Sequence, residues 1–180
     1  VQRTASAGYQ HSETLLNADL RIGLIDSGIL DSHETLTHSN IRNRSFLSNA
    51  RRSEKQHGTA VASLLIGQSE RLIGMAPNAE LFAAEAFFDD PQLGLVSSSF
   101  KLVRALEWLA QNQVHVVNMS LTGPNNDVLQ RALELVSEED IIIVAAAGNE
   151  GPTAPPLYPA AYPNVLAVTA IDEQSRPFLR

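Results

Sequence analysis

Three polar side chains in this 180-residue chain stand where chemistry could be done. Asp26 closes the apolar run of LIDSGI, and Ser27-Gly28 turns the chain at once. His57, followed by Gly58, stands directly ahead of TAVASLL, an apolar run that reads as a helix. Asn149 follows Gly148 and a strand of small residues in VAAAGNEGP. Each has an ordinary reading by itself. A carboxylate ending a buried strand must be paired or solvated, and Asp26 could be a turn residue bonded to the next amides. A lone histidine is more often a surface or satisfied core residue, and Asn149 could be a plain loop amide. Together they are the parts of acyl-transfer chemistry. The carboxylate orients an imidazole, the imidazole takes a hydroxyl proton, and the amide donates to the oxyanion.

Such a set needs a scaffold that brings distant segments to one edge. RIGLI, AELFAAEAF, VHVVNMSL, IIIVAAAG and VLAVTAI are short aliphatic runs, as expected of strands buried on both faces. Between them lie helical patterns. In SSSFKLVRALEWLAQ, Phe100, Val103, Leu106 and Ala110 form one stripe, with a serine as N-cap; in NNDVLQRALELVSEED, Val128, Leu129, Ala132, Leu133 and Val136 form another. The alternation predicts a three-layer α/β domain with a mainly parallel sheet, and chemistry at the carboxyl ends of its strands.

Composition narrows the partners. A formal charge of -7 argues against nucleic acid or an anionic membrane. The basic stretch RNRSFLSNARRSEK, with Arg42, Arg44, Arg51, Arg52 and Lys55, reads as a solvated loop, since Phe46 is its one aromatic platform. The absence of cysteine removes disulfides, thiolate catalysis and cysteine zinc sites, and leaves the compartment open. No run reaches the roughly 18 apolar residues of a transmembrane helix. A start at Val1, without initiator methionine or signal peptide, reads as a processed or engineered form.

The motifs resemble those of the subtilisin-like serine proteases. IDSGI is similar to the family's catalytic-aspartate motif, HGTAVAS to its histidine motif, and AAAGNEGP to the segment carrying its oxyanion asparagine. VVNMSL resembles the strand whose end lines the substrate groove, and GMAPNAEL and YPAAYPNVLAVTAID match framework segments; the likeness runs from about residue 20 to residue 173. It implies an endopeptidase acting on polypeptides through an acyl-enzyme, without a cofactor, with Asp26 as carboxylate partner, His57 as general base and then acid, and Asn149 as oxyanion donor. Ser120, Leu121, Thr122 and Gly123 would form one wall of the specificity pocket, narrowed by Thr122 where the family usually has glycine. Leu95, Val96 and Ser97 would form the other edge, pairing with an extended peptide. Glu150 would lie near the pocket's base and could favour basic side chains. The Tyr158-Pro159 bond is expected to be cis. A secreted or periplasmic location follows from the resemblance alone.

Two departures stand out. IGQSERLIG is short where many subtilases hold calcium, and Gln68, Ser69 and Glu70 are a thin oxygen supply, so no calcium is expected there. His33 and His38 with Asp31 and Glu34 read as a surface loop, so no metal site is expected. More consequentially, the family's nucleophile is the serine of a Gly-Thr-Ser motif opening a long helix. The one Gly-Thr here, Gly58-Thr59, is followed by alanine. The chain is therefore read as a single domain over residues 1–180, with 1–19 as lead-in and 20–180 as core, incomplete at its C-terminal end. Its expected partner is the C-terminal remainder of the same protease, docked after a cut at Arg180, or else a second copy covering the sheet face that the serine helix would cover. Alone it should not hydrolyse peptides. The alternative is a non-catalytic, subtilase-like peptide-binding module.

Overall fold

The computed structural model describes residues 19–48, 53–151, 153–172 and 174. Arg51, Arg52, the lead-in up to residue 18 and Arg180 lie outside them. The strands are β1 (Arg21–Asp26), β2 (Asn40–Ser45), β3 (Glu80–Glu85), β4 (Phe88–Asp90), β5 (Gly94–Val96), β6 (Val116–Met119), β7 (Ile142–Ala146) and β8 (Leu166–Val168); the helices are α1 (Gln56–Ile66), α2 (Ser99–Gln111) and α3 (Asp127–Ser137). Six strands form one sheet in the order β2-β3-β1-β6-β7-β8, and every pairing in it is parallel. β4 and β5 form a separate antiparallel pair.

Alternation along the strands sorts the core into two layers. Ile22 and Leu24 of β1, with Leu81 and Ala83 of β3, meet Ala62 and Ile66 of α1. Ile25, Phe82 and Ala84 point to the opposite face, where Leu102, Leu106 and Leu109 of α2 and Leu129, Leu133 and Val136 of α3 cover them. The chain thus lays α1 on one face and α2 and α3 on the other. Strand order reverses beside β1: β3 and β2 lie to one side, and β6, β7 and β8 to the other. A crevice opens at such a switch point, at the carboxyl ends of the strands.

Three expectations need correction. The α2 stripe is rotated: Leu102, Ala105, Leu106 and Leu109 are buried, while Phe100 is 71% exposed. Leucines four and three residues apart fill the space over the sheet, which periodicity counted from Phe100 misses. In α3 the stripe holds at Leu129, Leu133 and Val136, but Val128 is 62% exposed. The basic stretch is not all loop. Asn40–Ser45 forms the edge strand β2, held by parallel pairing to β3 and by Ile41 against the α1-side cluster.

The strands beyond β1 are also not covered on both faces. Register places Ile22, Val116 and Ile142 on one face with Leu24, Asn118, Val144 and Leu166. This is the face of α1, but α1 reaches only as far as Val116. Farther out, Ile142 and Leu166 are each 59% exposed and Val168 is 43% exposed. A parallel strand with one bare face is unusual, because both its faces are apolar.

Candidate active site

Asp26 is the last residue of β1, and its side chain is only 3% exposed. Its Oδ1 accepts from the Ser27 backbone N–H and lies 2.7 Å from His57 Nδ1; no donor among the described residues meets Oδ2. Burial pushes the carboxyl above its ordinary range, and the bonds and charge from His57 and the Ser27 bonds only partly oppose this. His57 is in the first turn of α1 with a half-exposed side chain. With Nδ1 directed at Asp26, the imidazole has Nε2 left to meet a reacting group. The expected contact and the expected helix start are both there.

The pair is positioned by a clamp between the β1 turn and the first turn of α1. Gly58 N–H donates to Ser27 Oγ at 3.0 Å, Leu30 N–H donates to Thr59 Oγ1 at 2.8 Å, and Gly28 N–H donates to Ser53 Oγ at 2.7 Å. The residue after the histidine has to be glycine. A Cβ on Gly58 would lie 2.5 Å from the Ser27 carbonyl oxygen and 2.8 Å from that of Gly28. Sequence reading did not single out Ser27, Ser53, Gly58 or Thr59 as positioning groups. The signal available was small polar residues flanking Asp26 and His57, which says nothing by itself of who meets whom.

The other candidates lie at neighbouring strand ends. Asn149 and Glu150 are exposed in the turn after β7, two strands from β1. Gly148 enters that turn with φ +98 and packs under Leu157, and a Cβ there would meet Thr122 Cγ2 at 3.5 Å. Gly123 and Tyr158 exchange backbone bonds of 2.7 and 3.0 Å, and the Tyr158-Pro159 bond is cis. The structure thus gathers the Ser120–Gly123 segment, the Gly148 turn and Tyr158 after β6 and β7. Ser120 Oγ accepts from Asn118 Nδ2 at 2.8 Å, and Leu121 packs against the core. Leu95 and Val96 lie in β5 opposite β4, and Ser97 Oγ donates to the Ala86 carbonyl at 2.8 Å. Among the described residues no three His, Asp or Glu side chains converge as a metal site, and no helix is long and apolar enough to cross a membrane.

Fold and site together define a parallel α/β protein of the subtilisin-like kind. The chain belongs to the subtilase family, whose model matches residues 17–178. Subtilisin E of Bacillus subtilis is 33% identical over 176 residues, which cover 92% of this chain and 44% of that protein. Subtilisin DY of Bacillus licheniformis is 34% identical over 163 residues, covering 86% of this chain and 57% of that protein. Among solved structures, a mutant of the protease domain of PatA superposes with a TM-score of 0.79 at 30% identity, covering 91% of this chain and 62% of that one. The chain therefore spans only about half the length of the relatives it matches.

Proposed function

We propose that the chain is the N-terminal part of the catalytic domain of a subtilisin-type serine endopeptidase. The observation that carries this reading is the 2.7 Å contact between His57 Nδ1 and a buried Asp26 carboxylate at the strand ends. Asp26 fixes the tautomer with hydrogen on Nδ1 and stabilises the imidazolium. His57 Nε2 takes the proton of a serine hydroxyl as that oxygen attacks the peptide carbonyl, then returns it to the leaving amine. Asn149 donates to the carbonyl oxygen while it carries negative charge. The substrate lies extended between Leu95–Ser97 and Ser120–Gly123, with Glu150 near the pocket base. Residues 1–180 act as one domain with 20–180 as core.

The serine comes from the remainder of the same protease, and its helix docks on the bare face of β6, β7 and β8. The exposed Ile142, Leu166 and Val168 support this placement. Covering the exposed part of these three side chains is worth about 2–5 kcal/mol, a sizeable share of the stability of a whole domain. In the full-length protein, His57→Ala should cost several orders of magnitude in peptide hydrolysis. Residues 1–180 alone should be inactive, and adding the segment with the Gly-Thr-Ser motif should restore hydrolysis. Unchanged turnover in the His57→Ala protein would refute the catalytic reading. A stable dimer of the 180-residue chain that ignores the added segment would refute the docking.

A further inference from the structure

The outer edge of the sheet, away from the cleft, carries a second feature that the catalytic reading does not use. Among the described residues β2 has a neighbour on one side only, and five of its six residues are exposed. In such a strand, alternate backbone N–H and C=O groups point outward, where no strand meets them. Arg42 and Arg44 share one face of this edge. Arg42 lies 5.3 Å from the Phe82 ring centroid, with Nε 2.6 Å from Glu80 Oε1. Arg44 rests 5.2 Å from the Phe46 centroid and 5.9 Å from that of Trp108, and those two rings are 6.0 Å apart. No carboxylate among the described residues meets Arg44.

An edge guarded only against stray pairing is served by lysines standing freely in solvent. Here both guanidinium groups are laid on aromatic surface, which fixes their planes; Arg42 gives its Nε–H to Glu80 and keeps its terminal N–H groups, while no carboxylate among the described residues takes those of Arg44. In a chain of formal charge -7, this is a local reversal of sign beside the open edge of a strand. We propose that the edge of β2, with Arg42 and Arg44 spread over Phe82, Phe46 and Trp108, docks an extended acidic polypeptide segment as an added strand. Arginines two residues apart match acidic side chains at alternate positions of one strand, while the backbone edges pair. Nucleic acid fits less well, because base stacking needs open aromatic faces and these rings are already taken by guanidinium groups and by each other. The inference stands apart from the catalytic reading.

The test is anisotropy of a labelled ten-residue peptide of alternating Glu and Thr, titrated with the full-length protein. The same peptide with Gln for Glu and an oligodeoxythymidine of similar charge serve as comparisons. The Glu peptide should bind at least tenfold more tightly than the Gln peptide, and weaken as salt rises. Arg42→Gln and Arg44→Gln should each weaken it roughly fivefold. Arg44→Lys, which keeps the charge without the flat stack, should fall between, with near-UV circular dichroism showing an intact fold. In the 180-residue chain, Trp108 is the one tryptophan, and its fluorescence should change on binding. Equal binding of the Glu and Gln peptides, an unchanged affinity in Arg44→Gln, a silent Trp108, or tighter binding of the oligonucleotide would each overturn the proposal.

Discussion

Replacing Gly58 by alanine sets two effects of opposite sign against each other at the candidate site. Alanine in place of glycine usually stabilises a helix, by up to about 1 kcal/mol. At this position the new methyl meets the backbone oxygens of Ser27 and Gly28 at 2.5 and 2.8 Å, and backbone does not swing aside as a side chain end does. Ordinary contact begins at 3.4 Å, so the first turn of α1 must retreat by about 0.6–0.9 Å. Overpacking of that kind costs about 1–3 kcal/mol. Against the full helix gain the clash leaves a net loss of up to about 2 kcal/mol. For a domain of this size that is a fall in melting temperature of up to roughly 4–8 °C. A retreat along the line of the Asp26–His57 bond stretches it from 2.7 Å to roughly 3.3–3.6 Å, past useful hydrogen-bond length. In the full-length protein, a displacement approaching 1 Å should lower kcat/KM about a hundredfold. Thermal unfolding and the NMR signal of the His57 ring proton at Nδ1 read the two consequences separately. A raised melting temperature with an unmoved His57 signal would show that propensity governs here and that the close approach is not what holds the pair.

Other outcomes follow from burial and charge. Burial raises the pKa of Asp26 above the ordinary carboxylate range. The folded state therefore holds a proton that the unfolded chain has lost, and this part of the stability, present in full below the unfolded value, is lost as pH rises through the folded value. Asp26→Asn should flatten that fall, seen as a smaller slope of melting temperature as pH rises above the ordinary carboxylate range; a slope equal to wild type would refute the assignment. Leu133→Ala, at a fully buried position of α3, should cost about 2–5 kcal/mol in denaturant unfolding. Val128→Ala, exposed on the same helix, should change stability by less than about 0.5 kcal/mol, and a similar loss at both positions would place the α3 stripe wrongly.

What could be read from the sequence depended on whether the signal was local. Asp26 and His57 were legible because each ends or opens a regular element and carries a small residue beside it. The strands β1, β3, β6 and β7 were legible from short aliphatic runs. β2 was not, because NIRNRS has one aliphatic residue and owes its conformation to the edge of β3. The α2 stripe was misread because apolar side chains from Phe100 to Leu109 lie around more than half the helix, and only the neighbouring sheet and α3 decide which are covered. The clamp of Ser27, Gly58 and Thr59 could not be read at all, since its partners are some thirty residues apart and meet only when α1 lies against β1.

The division of the core into two layers has a consequence in time. Among the described residues, the ten buried ones of the α1-side cluster fall between Ile22 and Ala83, whereas the opposite cluster needs residues as far along as Tyr162. A chain made from its N-terminus can close the first cluster before the second exists. The contact between Asp26 and His57 belongs to that first unit, so its geometry can be set early. Asn149 arrives with the second. The candidate site is then assembled onto a pair already in place, and a defect in the later half, such as Leu133→Ala, should speed unfolding more than it slows the first closure.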